Sequence, residues 1–291
     1  PPRLDSSAAS DVYKRQGSQR VYAWKPKERT YRIIFESKQY ARLGFGPLKG
    51  NLSDDGRRMV VSARNAEGQD IAFVLDLEAG RKFENISLAS IGGKPGHCSI
   101  SPSGKYVFCI REMAGERTEA FILTAAGRLV QHWSEHHRPG HGDMVIDADG
   151  SDVYVGISKS RPDKWHVIKR RLKDGAVTVL AKKGSAQHVS MRNIRKPGWA
   201  FVSYTGTYLG NRLNRHETPF YQEVLAIRID GSGRVVRIVQ TRNPEHDYWS
   251  ETHASPSPDG RMIIWSSNWG VPGGPVADYV SRIEWQEHDI N

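Results

Sequence analysis

The sequence predicts an all-β chain, a β-propeller of four-stranded blades, on two observations. The first is a glycine-centred turn that recurs five times: Asp54-Asp55-Gly56-Arg57, Pro102-Ser103-Gly104-Lys105, Ala148-Asp149-Gly150-Ser151, Lys196-Pro197-Gly198-Trp199 and Pro258-Asp259-Gly260-Arg261. Its glycines fall at 56, 104, 150, 198 and 260, at intervals of 48, 46, 48 and 62, each between two runs of strand character. Repeats of about 40–50 residues with a Gly turn and several short strands are the signature of propeller blades. The second observation is that these runs are β-branched and aromatic and are bounded by Gly, Pro, Asp and Ser, as strands are. No long amphipathic stretch at helical period competes with them.

The elements follow in order. Residues 20–24 and 31–35 read as two strands, half a blade. Five fuller units run over about 43–88, 91–134, 138–183, 185–241 and 246–288. Their clearest strands are 58–63 and 70–77, 105–110 and 119–124, 152–157 and 165–170, 199–204 and 224–229, and 262–267 and 279–284. Residues 17–291 are therefore expected to be a single propeller domain, five blades and a partial one, cut at its start from a six- to eight-bladed ring. Residues 1–16 are set aside as a foreign tail, because Asp11-Val12-Tyr13-Lys14-Arg15-Gln16 has the coding of a sequencing-adapter end. The fourth unit is longer than the rest, with its extra length near residues 205–222. Long loops on a rigid scaffold are disproportionately functional.

Composition narrows the partners. The chain has 291 residues and a formal net charge of +10, with mean hydropathy −0.58 and a pI near 9.6. No apolar run approaches the ~18 residues of a membrane helix, so no membrane partner is expected. The basic balance favours an anionic partner such as acidic polysaccharide, against the alternative of an uninvolved basic surface. Nucleic acid is disfavoured, because the basic residues do not interleave with aromatics along one strand face. Cys98 and Cys109 lie on the two arms of one hairpin. If its turn pairs Ser101 with Gly104, Cys98 faces Val107, and a disulfide is not demanded. Nucleotide-loop, serine-elbow and paired-cysteine motifs are missing from the sequence.

Counting back seven residues from the turn glycines selects Lys49, His97, Asp143 and His253. Allowing three extra residues in the fourth turn adds His188. In a propeller the first strand of each blade is innermost, so these residues are expected to converge on one funnel. Imidazoles and a carboxylate suit a divalent metal such as Mn, Fe, Zn or Ni. His141, Gln187 and Glu251, two residues or fewer away, are candidate further ligands or orienting groups. For any single histidine, the competing reading is a structural one.

The elements Leu52-Ser53-Asp54-Asp55-Gly56-Arg57, Ser99-Ile100-Ser101-Pro102-Ser103-Gly104-Lys105 and Ser255-Pro256-Ser257-Pro258-Asp259-Gly260-Arg261 resemble the SPDG repeat of TolB-like, WD40-like propellers. That superfold includes periplasmic interaction modules and polysaccharide lyases. The arrangement further resembles oligogalacturonate lyases, propellers whose central funnel holds a metal on several His and a Gln. The resemblance implies His97, His188, His253 and Gln187 as ligands, with Asp143 joining them from the register, and manganese as a candidate metal. The last segment, Glu251-Thr252-His253-Ala254, carries one histidine where a paired ligand motif is expected. The function expected is a periplasmic or secreted polysaccharide lyase acting by β-elimination on a uronate-containing glycan. A non-catalytic propeller that binds a protein or glycan is the alternative.

A lyase needs a receptor for the uronate carboxylate and groups to move protons. The long fourth-unit loop offers Arg212 and Arg215 for the carboxylate, and Tyr204 and Tyr208 for proton transfer; in the competing reading the aromatics pack the loop and the arginines are solvated. Lys49 and His141 are assigned to substrate. Trp269 is assigned to a sugar ring, against the alternative of core packing.

Overall fold

In the computed structural model, the recurring turn is closed by its own side chains. Ser53 Oγ donates to Asp55 Oδ1 at 2.6 Å, the Arg57 N–H donates to the same oxygen at 3.0 Å, and the Arg58 N–H donates to Ser53 Oγ at 2.9 Å. The last turn repeats the pattern, with Ser257 Oγ to Asp259 at 2.6 Å, Arg261 N–H to Asp259 at 3.1 Å and Met262 N–H to Ser257 Oγ at 3.0 Å. Gly56 and Gly260 stand at φ 71° and 66°, where a side chain would be strained. Ser, Asp and Gly at this spacing are thus what the turn needs mechanically.

The structure describes residues 19–25, 27–45, 52–92, 97–114, 117–182, 184, 186–204, 220–243, 248–271 and 273–286. The expected tail, residues 1–16, lies outside them. Two compact units divide after Ser134.

The first unit begins with β1 (Gln19–Lys25) and β2 (Thr30–Ser37), a two-stranded sheet. Next come β3 (Tyr40–Gly44), β4 (Arg58–Asn65), β5 (Asp70–Asp76) and β6 (Arg81–Lys82), with β7 (Ile86–Ser87) also paired to β5. β8 (Cys98–Ile100), β9 (Tyr106–Met113), β10 (Arg117–Thr124) and β11 (Leu129–Trp133) form a four-stranded antiparallel meander. Cys98 pairs directly with Cys109 across β8 and β9, with Cα atoms 4.0 Å apart, and the two are disulfide-bonded. This corrects the expected facing of Cys98 and Val107. The Gly104 N–H does donate to the Ser101 carbonyl at 2.8 Å, but the Ser101 N–H donates to the Tyr106 carbonyl at 2.8 Å, so the ladder closes two residues later and Val107 falls opposite Ile100.

The second unit holds β12 (Pro139–Ile146), β13 (Asp152–Ser158), β14 (Val167–Arg171) and β15 (Val177–Ala181) in one sheet. β16 (Ala186–Ser190), β17 (Trp199–Tyr204), β18 (Glu223–Arg228) and β19 (Val235–Gln240) form the next. β20 (Ser255–Pro256), β21 (Met262–Ser267) and β22 (Ala277–Arg282) form a three-stranded sheet. Each sheet runs in chain order, so the first strand of each blade lies at one edge.

Cores form where neighbouring sheets face each other. Val145, Val155, Val189, Val202, Leu225 and Ile227 fill one interface, and Trp199, Phe201, Ile263 and Trp265 fill the next. Among the described residues no helix is long and apolar enough to cross a membrane.

Candidate functional site

Three consecutive first strands of the second unit deliver one cluster, and two of them do so through β-bulges. The register of β12 against β13 shifts between Pro139 and Gly142, so that Gly140 and His141 together stand opposite Ile157. The register of β16 against β17 shifts between Ala186 and His188, which inserts Gln187. Bulges bend a strand and re-aim side chains. The third contribution precedes β20. Thr252 is locked inward, its Oγ1 donating to the Ser266 carbonyl at 2.9 Å and accepting from Asn243 Nδ2 at 2.9 Å. The Ala254 N–H donates to Ser203 Oγ at 3.1 Å. Glu251 and His253 flank Thr252, and alternation in extended chain puts their side chains on the opposite face.

The resulting contacts form a chain. The His141 Nδ1–H faces the Gln187 carbonyl at 3.0 Å and His188 Nδ1 at 3.1 Å. His188 Nε2 donates to Glu251 Oε2 at 2.8 Å, and His253 Nε2 lies 3.7 Å from the same oxygen. The imidazoles of His188 and His253 are 3.8 Å apart by centroid, and those of His141 and His188 are 4.7 Å apart. One donor atom each from His188, Glu251 and His253 lies within 4.8 Å of the others. The Gln187 amide hydrogen-bonds Glu251, while its Oε1 is buried without a partner.

Burial sets the charges. Glu251, 5% exposed, is held above the usual carboxylate range by desolvation, which outweighs the lowering influence of His253, His141, Gln187 and Lys159. Desolvation, and then the charges of His188 and Lys159, lower His141 to about 4. His141 is nonetheless an exposed residue, so solvent moderates this shift without reversing it. His141 is therefore neutral near pH 7, with Nδ1 carrying the proton and Nε2 presenting a lone pair.

Close approach explains the glycine beside His141. A Cβ at Gly142 would run into the Tyr154 ring, which is buried with its hydroxyl donating to the Gly140 carbonyl at 3.0 Å. Gly142→Ala is expected to destabilise the chain by about 1–3 kcal/mol through overpacking, and to displace His141. Denaturant unfolding checks the first effect. An unchanged midpoint would show that Tyr154 yields.

The structure places the other expected residues as follows. Asp143 is buried, accepting from the Met144 N–H at 3.0 Å and the Met191 N–H at 3.1 Å, with Arg192 Nε at 3.3 Å. His97 precedes β8 in the first unit, half-buried, its carbonyl accepting from the Ile110 N–H at 2.9 Å. Tyr204 is 1% exposed in the core, edge-on to Phe220, and its hydroxyl has no partner. Trp269 is 51% exposed and stacks with Trp265 and Tyr279. Lys49, Tyr208, Arg212 and Arg215 lie outside the described residues.

The pairing also corrects the fourth-turn offset. Ile100 and Ser190 are equivalent, each paired to the residue three beyond its turn glycine, Val107 and Phe201. Gly104 follows Ile100 by four residues and Gly198 follows Ser190 by eight, so the turn holds four extra residues, not three. His188 therefore shares the level of Cys98, and past the bulged Gln187 it is Ala186 that shares the level of His97.

No protein-family model matches the sequence, and no curated protein is significantly similar to it. Among solved structures, the chain is similar to an oligogalacturonate lyase in complex with manganese, at 14% identity and TM-score 0.58, covering 96% of this chain and 74% of that one. It is also similar to Porphyromonas gingivalis dipeptidyl peptidase 4, at 11% identity and TM-score 0.53, covering 93% and 42%. TolB from Acinetobacter baumannii follows at 16% identity and TM-score 0.49, covering 86% and 54%, so the chain spans about half of its length. At these identities the likeness concerns fold. The chain is an all-β protein of the β-propeller class.

Proposed function

We propose that the chain is a carbohydrate-active propeller, a polysaccharide lyase that cleaves an anionic, uronate-containing glycan by β-elimination. The observation that carries this reading is the convergence of His188, Glu251 and His253 within 4.8 Å beside the orphaned Gln187 Oε1. Two imidazoles, a carboxylate and an amide oxygen form a donor set that fits a divalent cation such as manganese, and a buried acceptor without a donor is costly unless a cation or water meets it. The manganese-bound oligogalacturonate lyase of similar fold supports the same direction.

When bound, the metal would neutralise the uronate carboxylate and stabilise the enolate that develops beside it. The chain's own residues do the rest. His188, Glu251, His253 and Gln187 hold the cation. His141 accepts a hydrogen bond from a substrate hydroxyl on its free Nε2. Of the two tyrosines named for proton transfer, Tyr204 is buried, which leaves that role to Tyr208, with Arg212 or Arg215 binding carboxylate. Lys49 and Trp269 are proposed outer contacts. In the reaction, the C5 proton leaves to a base, its electron pair forms the C4=C5 double bond, and the C4–O pair departs with the leaving oxygen, which takes up a proton. The Cys98–Cys109 disulfide supports a periplasmic or secreted location, where such bonds persist.

Incubation with oligogalacturonate and manganese is expected to yield unsaturated products, followed by the ultraviolet absorbance of the new double bond. Binding without any product, with or without manganese, would favour the non-catalytic alternative.

A further inference from the structure

Lys159 and Trp165 stand beside the cluster in the connection that joins β13 to β14. The Lys159 N–H donates to the Arg138 carbonyl at 2.8 Å, which ties it to the entry of β12. Its stem crosses Gly140, where a Cβ would lie 2.9 Å from Lys159 Cε and 3.0 Å from Cγ. Gly140 adjoins His141, so the side chain runs along the rim of the imidazole chain. Its charge reaches both His141 and Glu251.

The same ammonium lies 4.3 Å from the centroid of the Trp165 ring, and the Lys164 ammonium lies 5.1 Å from it. Trp165 is held at φ 71°, a conformation that L side chains rarely adopt and that persists only where its surroundings fix it. Here the Trp165 N–H donates to the Ser158 carbonyl at 2.7 Å, and the Ser158 N–H donates to the His166 carbonyl at 2.9 Å. The ring rests on the core formed by the first two sheets of the unit. An ordinary surface Lys–Trp contact has neither the glycine notch nor the strained, anchored indole.

We propose that Lys159 selects an acidic glycan at this site by receiving one of its uronate carboxylates, with the Trp165 indole beneath the ammonium holding it in position. This rests on the glycan reading above and deepens it. A uronate presents a carboxylate, which an ammonium held over an indole at the rim of the cluster matches. A neutral hexose presents no charge to that ammonium.

Isothermal titration of the full chain with trigalacturonate and with its carboxyl-reduced trimer tests the assignment, using wild type, Lys159→Met and Lys159→Arg. Wild type is expected to prefer trigalacturonate. Lys159→Met is expected to lose about tenfold or more of that affinity, the scale of one hydrogen bond to a charged group. Binding of the reduced trimer should be unchanged and manganese affinity should not fall. Lys159→Arg should restore most of the preference. Circular dichroism and melting temperature establish that each variant folds. If wild type prefers trigalacturonate and Lys159→Met prefers it equally, the assignment is wrong while the glycan reading stands. If wild type shows no preference, the glycan reading fails and the assignment falls with it.

Discussion

Glu251→Gln is expected to remove divalent-metal binding while leaving the metal-free protein as stable as before, or more so. The metal side follows from charge. In the proposed centre Glu251 would supply the negative ligand beside the imidazoles of His188 and His253. Changing residues that merely orient metal ligands costs about 10–100-fold in affinity, so removing the charged donor itself should cost at least the upper end. Manganese at 100 times its dissociation constant stabilises a native protein by about 2.7 kcal/mol, and a 100-fold weaker site at the same concentration by only about 0.4 kcal/mol. The metal-dependent shift in melting temperature should therefore nearly vanish.

The metal-free side follows from burial. Desolvation holds the Glu251 carboxyl above its ordinary range. A carboxyl raised in the folded state contributes stability that is complete below its unfolded value and is lost as pH rises through the folded one. The amide does not ionise, so the variant should gain on wild type as pH rises through that window. The orphaned Gln187 Oε1 also finds a donor if the Gln187 amide turns over to face the new amide. A metal-dependent melting shift that survives in Glu251→Gln would sink the proposed centre.

The parts of this molecule that were legible in the sequence are those whose chemistry is local. Ser53, Asp55 and Gly56 announce a turn because their own side chains close it, and the same residues at 257, 259 and 260 announce the same turn. Strands between such turns follow from alternation and β-branching. His188 and His253 were nameable because imidazoles at the start of first strands are conspicuous. What escaped depends on register. A bulge adds a residue without a composition mark, so nothing at Gly140-His141 or Gln187 signalled the shifts that aim them inward. The Cys98–Cys109 pairing turned on loop length. Glu251 stood in view only as a neighbour of His253, although spacing of two in extended chain already puts both on one face. Lys159 and Trp165 left no motif, because their meeting with β12 is tertiary.

Asp143 is bonded differently from Glu251, the carboxylate of the proposed centre. Counting from the turn glycine brings it to the ring, but its oxygens are engaged by the Met144 and Met191 N–H groups. Met191 directly follows β16, so the carboxylate fastens that segment to β12. Asp143→Ala would leave two buried N–H groups without an acceptor. A buried group stripped of its partner costs about 1–3 kcal/mol, whereas the pairing with Arg192, whose side chain is 41% exposed, adds little after solvent screening. A loss of about 3 kcal/mol is expected, roughly 6–12 °C in melting temperature for a domain of this size. Asp143→Asn keeps one carbonyl acceptor and should lose less. Manganese affinity, measured below the melting temperature, should be close to wild type in both variants, the reverse of Glu251→Gln. If Asp143→Ala keeps its stability and loses the metal, the carboxylate belongs to the centre, and its bonds to Met144 and Met191 are incidental to the fold.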